Sequence, residues 1–309
     1  MTPSNLPADH SERMARARLS LEGLAIGDAL GEMLAYNCAN ARRMAELGFH
    51  AGPWWHTDDT EMALGIYEVL ERLGLIDPGE LAVRFAERFR RDPDRGYGMM
   101  ARRILQQILA GENWRAASQG AFEGQGSMGN GGAMRVAPLG AYLADEPDSI
   151  IRAEATLSAI VTHAHREGQA GAIAVAAASA TAWRLRGQPK ETASRSLLKA
   201  ALDLTPDGET REGIRKAMEL PFTKSSRDAA HVLGNGMLVT AQDTVPFAIW
   251  CAAKNIDDYR EAIIETVLGD GDCDTNCAMV GGIVALFAGR DSIPPDWREA
   301  RERFDFEKR

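Results

Sequence analysis

Apolar residues recur at three- and four-residue intervals along most of this chain, and strict alternation is nearly absent, so the pattern predicts helices almost throughout. Helical periodicity covers residues 14–35, 60–73, 81–90, 99–110, 150–162 and 168–186. It continues over 191–202, 210–219, 244–254, 259–268 and 276–288. Glycine and proline fall mostly between these stretches, no fixed-period repeat is evident, and no Pro- or Ser-rich linker divides the chain. The expectation is one all-α domain of many helices over residues 1–309, long enough to bury a substantial core. Gly23, Gly27 and Gly31 share one face of the first helix. Three helical glycines cost about 1 kcal/mol each relative to alanine, so something approaches closely there: a second helix, or a ligand near Asp28.

Composition narrows the class. With 45% hydrophobic and 26% charged residues the chain reads as globular. A net charge of -9 argues against general adhesion to nucleic acid or an anionic membrane, which needs a basic face. The longest apolar candidate, residues 170–183, is mainly alanine with Ser179 and Thr181, and reads as a buried helix rather than a membrane span. The N-terminal stretch from Thr2 to Arg18 is polar and lacks the apolar core of a signal peptide. A reducing cytoplasm is therefore expected, with Cys273 and Cys277 as free thiols. Their spacing is weak zinc spacing, because no second Cys or His pair accompanies it.

Two acidic clusters carry the chemistry. Trp55-His56-Thr57-Asp58-Asp59-Thr60-Glu61 and Gly269-Asp270-Gly271-Asp272-Cys273-Asp274-Thr275 each stand directly before a helical run. One reading is N-capping, since Asp and Thr accept hydrogen bonds from first-turn amides. A cap needs one such side chain, however, and each junction supplies three oxygen-bearing candidates. If the clusters meet, Asp58, Asp59, Asp272 and Asp274 carry four negative charges, whose repulsion is several kcal/mol at intermediate dielectric (about 4 kcal/mol for a pair 4 Å apart). Two divalent cations would balance them, and an all-oxygen donor set suits magnesium, calcium or manganese.

A third segment, Phe122 to Arg135, is rich in glycine and leaves backbone amides open to an anion. It matches neither the Walker pattern nor the dinucleotide fingerprint. Thr162-His163-Ala164-His165 offers a polar contact, a metal ligand or a helix cap.

These pieces, in this order, resemble the ADP-ribosylglycohydrolase family. The matching segments are Gly27-Asp28-Ala29-Leu30-Gly31, Thr57-Asp58-Asp59-Thr60, Arg95-Gly96-Tyr97-Gly98, Gly129 to Arg135, Thr162-His163 and Asp272-Cys273-Asp274-Thr275, spread over roughly residues 20–290. The resemblance implies an all-α fold with a central cleft holding two divalent metals, usually magnesium and sometimes manganese. It assigns the metals to Thr57, Asp58, Asp59, Asp272, Asp274 and Thr275. It assigns diphosphate and ribose contacts to Ser127, Gly129, Asn130, Gly131 and His163, and places Tyr97, Gly98 and Phe122 beside the distal ribose or adenine. Asp28 is expected to support the metal ligands rather than bind metal itself.

Several family members carry a glutamate seven residues after the motif aspartate, and here that position is Ala35. Three readings follow: Asp94 serves as the base, Glu32 reaches the site through altered helix geometry, or the protein binds ADP-ribose with little hydrolysis. The activity implied is removal of ADP-ribose from a modified protein side chain or a small-molecule conjugate. Hydrolysis of a related nucleotide is the alternative, because the loop and metals would suit any diphosphate.

Overall fold

The computed structural model describes residues 6–308, so Thr2 to Asn5 of the polar N-terminal stretch lie outside the described residues. Among these residues eighteen α-helices follow one another. The first nine are α1 His10–Leu34, α2 Ala41–Leu47, α3 Asp58–Leu73, α4 Pro78–Arg91, α5 Met99–Leu109, α6 Trp114–Gln119, α7 Ala121–Gly124, α8 Gly131–Met134 and α9 Ala137–Tyr142. The rest are α10 Asp148–Ala159, α11 Arg166–Arg184, α12 Lys190–Leu204, α13 Glu209–Glu219, α14 Ser226–Leu233, α15 Ala241–Lys254, α16 Tyr259–Val267, α17 Cys273–Ala288 and α18 Pro295–Ala300. Only isolated bridges, such as Gly129 with Thr240, replace strands among the described residues. The all-α expectation holds.

The glycine stripe on α1 is explained by α17. A Cβ at Gly23, Gly27 or Gly31 would lie far inside van der Waals contact with the carbonyl oxygens of Gly281, Cys277 and Cys273 respectively. The order reverses along the two helices, so they run antiparallel. Of the two readings open in the sequence, helix packing accounts for the glycines, and the ligand reading does not. This contact seats Asp28 of α1 beside the start of α17.

Around this pair, α3, α9, α11, α15 and α16 bury one apolar core in which Leu24, Ile66, Leu139, Val175, Phe247 and Ile263 are all fully or almost fully enclosed. Helix α11 contains the alanine-rich run and is buried along most of its length. No described helix is long and apolar enough to cross a membrane.

Capping sets several boundaries. Asp77 and Asp258 accept from the amides of Glu80 and Glu261 at the starts of α4 and α16, and Gly74 ends α3 in the left-handed conformation that suits glycine. The pattern did not anticipate α2, α6, α7, α8, α9, α14 or α18, which are four to eight residues long and too short for repeated apolar spacing. It also carried the helix at 150–162 too far. Helix α10 stops at Ala159, which releases Thr162 and His163 into a loop.

Candidate active site

Thr57 occupies the N-cap of α3, and its hydroxyl oxygen accepts from the amide of Asp59 at 3.3 Å. The capping reading is therefore true of Thr57. At the second cluster, Asp272 stands at the N-cap of α17 but its side chain makes no capping bond. It instead accepts from the Asn130 side-chain amide at 2.6 Å. Capping does not explain why its carboxylate is there.

Asp28 ties the first cluster to α1. Its carboxylate accepts from the Thr57 amide at 3.0 Å and hydroxyl at 2.8 Å, and from the Thr60 amide at 3.1 Å and hydroxyl at 2.5 Å. These four bonds saturate the carboxylate and fix the first turn of α3. Asp28 has no exposure, and burial raises its pKa to about 6 against the opposing pull of His56.

The helix packing brings the two acidic clusters into each other's electrostatic field. Burial, followed by the charge of Asp28 and then of Asp274, pushes Asp58 well above the ordinary carboxylate range. Burial followed by Asp274 and Asp28 does the same to Asp59. Asp272 rises to about 8 through burial and the neighbouring Asp274. Asp59 is 2% exposed, and its Oδ1 is buried with no hydrogen-bond partner. Thr275 is buried beside them, and its nearby hydroxyl offsets part of the rise at Asp272.

The glycine-rich loop packs closely around His163. A Cβ on Gly129 or Gly131 would press on the His163 ring, so these glycines let the backbone wrap the imidazole. His163 Nδ1 pairs with the Thr162 hydroxyl at 2.8 Å, leaving Nε2 toward the loop. Burial and the nearby Arg135 cation hold His163 neutral, with its pKa depressed to about 3. Ser127 accepts from the Gly129 amide at 3.1 Å. His165 is a helix cap, accepting from the Glu167 amide at the start of α11.

The remaining predicted residues are spread more widely. Gly98 starts α5. Tyr97 is 3% exposed and stands edge-on to Phe89 with ring centroids 5.1 Å apart, its hydroxyl without a partner. Phe122 is 52% exposed at a left-handed φ of 52°. Asp94 lies in an exposed turn, 91% accessible and 3.9 Å from Arg102. Glu32 lies one turn beyond Asp28 on α1, where burial and the charge of Asp274 raise its pKa. Helix α1 runs unbroken from His10 to Leu34, so the altered helix geometry considered for Glu32 does not occur.

A sequence profile of the ADP-ribosylglycohydrolase family matches residues 9–308. The chain belongs to the ADP-ribosylglycohydrolase family. It is 31% identical over 278 residues to the ADP-ribosylhydrolase ARH3 of Gallus gallus, covering 81% of this chain and 74% of that protein. The human ARH3 is 31% identical over 283 residues, covering 81% and 76%. An uncharacterised protein of Archaeoglobus fulgidus is 30% identical over 302 residues, covering 92% and 90%. A solved structure described as an ADP-ribosylglycohydrolase-related protein complex superposes with a TM-score of 0.65 at 25% identity over 94% of each chain. Membership makes this chain a glycohydrolase, and all six motif segments fall within the matched span.

Beside the first acidic cluster lies a charge network built on His56, Glu61 and Arg95, which the motifs contain, and on Glu302, which no motif contains. His56 lies between Glu61, at 3.0 Å, and Glu302, at 3.1 Å. Arg95 grips Glu302 through two nitrogens at 2.7 and 3.0 Å and donates to the His56 carbonyl. The Arg95 carbonyl in turn accepts from the Asp58 amide at 2.6 Å. Arg135 is fully buried, donating to the Ser158 carbonyl and lying over Phe85 at 4.4 Å. Arg135 was visible as part of the loop motif, whereas nothing near Glu302 in sequence points to the site.

Proposed function

We propose that this chain, as one domain over 1–309, hydrolyses the glycosidic bond between an ADP-ribosyl group and its acceptor, using two divalent cations. Magnesium is the first candidate and manganese the second. The ligands are Thr57, Asp58, Asp59, Asp272, Asp274 and Thr275. The observation that carries this reading is that the buried Asp58 and Asp59 lie in the electrostatic field of the half-buried Asp272 and Asp274, with Asp59 Oδ1 left without a partner. The residues fit hard cations, since every donor is oxygen and the carboxylates repel one another without a counter-charge. Cations bound there supply Lewis-acid polarisation of the oxygen atoms they hold.

The chain's own groups account for the rest. Asn130 orients Asp272, and Asp28 orients Thr57 and, through the α3 first turn, Asp58 and Asp59. The loop from Ser127 to Gly131 receives the diphosphate, its glycines permitting close backbone approach. Neutral His163 offers Nε2 to a ribose hydroxyl as a hydrogen-bonding group rather than a charge. Glu32, although exposed, shares the field of Asp274, whereas Asp94 is 91% accessible, so Glu32 is the acid assigned to exchange a proton at the anomeric centre. A raised carboxyl pKa suits that role.

The test is turnover of ADP-ribosyl-arginine, ADP-ribosyl-serine and small-molecule ADP-ribose conjugates in magnesium and in manganese. Release of ADP-ribose from one of them supports the reading, and no release from any removes it. A second reading, an ADP-ribose-binding protein with little hydrolysis, is favoured by Ala35 at the position where several relatives carry glutamate. Tight calorimetric binding of ADP-ribose without turnover selects it.

A further inference from the structure

Beside the oxygen cluster lies a second group of donors with different chemistry. Cys38 Sγ and Cys273 Sγ are 3.4 Å apart, from residues separated by 235 positions. The Cys38 thiol also meets the Asp270 carboxylate. The three donor atoms lie within 4.8 Å of one another, with both thiols buried and Asp270 at the surface. Cys38 comes from the short 3-10 turn that follows α1, whereas Asp270 and Cys273 come from the turn that enters α17. Within three residues, Cys273 turns to Cys38 and Asp272 turns to Asn130, so the start of α17 serves two separate clusters.

We propose that Cys38, Asp270 and Cys273 form a second metal site that takes a thiophilic divalent ion of the zinc class. Two thiolates discriminate against magnesium and manganese, which prefer oxygen, and favour zinc or cadmium. Tetrahedral zinc with sulfur ligands at about 2.3 Å holds two sulfurs about 3.7 Å apart. The thiol pair therefore has to open by only a few tenths of an ångström. Three protein ligands leave a fourth position, and it falls to water on the open side at Asp270. Binding releases the two thiol protons to solvent, leaving two thiolates and one carboxylate around the dication. The ion would clamp the end of α1 to the turn that carries Asp272 and Asp274. This site is independent of the hydrolytic reading, since neither Cys38 nor Asp270 belongs to the oxygen cluster. The spacing of Cys273 and Cys277 gave no sign of it, because the partner thiol comes from the other end of the chain.

Cadmium is the probe. The full-length, metal-free, fully reduced protein is titrated with cadmium in excess magnesium, which competes for any all-oxygen site, while thiolate-to-cadmium charge-transfer absorption is followed. The proposal expects a band that saturates at one equivalent, is lost in Cys38→Ser, and needs at least about tenfold more cadmium in Asp270→Asn. No band in the reduced protein overturns it, as does a band that Cys38→Ser leaves unchanged. Should Cys38→Ser fail to fold, X-ray absorption at the zinc edge of the wild-type protein decides. A shell containing two sulfurs sustains the site, and a shell of oxygen and nitrogen alone removes it.

Discussion

Asn130 donates its side-chain amide to Asp272 at 2.6 Å across 142 positions of sequence, making the glycine-rich loop and the second acidic cluster one unit. A second bond, to the Thr244 hydroxyl at 3.1 Å, holds the amide in place. Replacing Asn130 with alanine frees the Asp272 carboxylate to rotate and leaves it without its donor. A hydrogen bond to a charged group is worth about 1.5–3 kcal/mol. Asn130→Ala should therefore weaken manganese binding by about ten- to a hundredfold, read by calorimetry, with little change in the far-ultraviolet circular dichroism. Unchanged affinity would remove Asn130 from any role in positioning Asp272.

Glu32 and Asp94 are separated by a pair of conservative substitutions. Glu32→Gln keeps the shape and removes the titrating group beside Asp274, so kcat should fall by about 10²–10⁴-fold. Asp94→Asn alters a group that is 91% exposed, and kcat should stay within about twofold of wild type, as expected for a solvated surface position. The reverse ranking, measured as steady-state kcat on whichever conjugate is turned over, would transfer the proton-exchange role to Asp94.

Gly27→Ala poses two opposing effects on α1. Alanine gains about 1 kcal/mol in helix propensity. Its Cβ, however, meets the Cys277 carbonyl of α17, backbone that cannot yield without moving the helix. Overpacking of this kind costs about 1–3 kcal/mol, occasionally more, and the tightness of the contact puts Gly27 at the upper end. The melting temperature should drop by several degrees. A rise would mean that the α1–α17 contact is looser than described.

Metal removal should steepen the loss of stability as pH rises. In the metal-free protein Asp272 is raised to about 8 and Asp28 to about 6, against an ordinary aspartate value of 3.8. The native state therefore holds protons that the unfolded chain has released. Stability is greatest below the unfolded value and declines as pH rises through the folded values, between about 4 and 8. Saturating magnesium replaces those protons and should flatten or reverse the slope. Urea melts at about pH 5 and about pH 8, with chelator and with magnesium, check this; metal-free protein that gains stability toward pH 8 contradicts it.

Much of the fold was legible along the chain. Helices such as α3, α11 and α17 carry enough turns for their apolar period to stand out, and Thr57 announces itself as a cap by its type and place. The seven unpredicted short helices are too brief to leave a periodic trace. The acidic clusters were visible as surplus carboxylates at helix starts, but capping and metal binding use the same residue types. What separates them is where each side chain turns: Thr57 to its own helix, Asp272 to Asn130.

Local spacing specifies helices and caps because those depend on hydrogen bonds and side chains within one or two turns. It also specified the stripe of glycines on α1, though not what they face. Only packing showed that the stripe receives the backbone of α17, and that contact in turn sets Asp28, Asp274 and Glu32 in one field. Packing likewise joins Asn130 to Asp272 and Cys38 to Cys273. Such meetings follow from burying apolar faces against each other, a non-directional force that acts over the whole chain. Residues far apart in sequence acquire their chemistry from it, and no local pattern encodes which of them will touch.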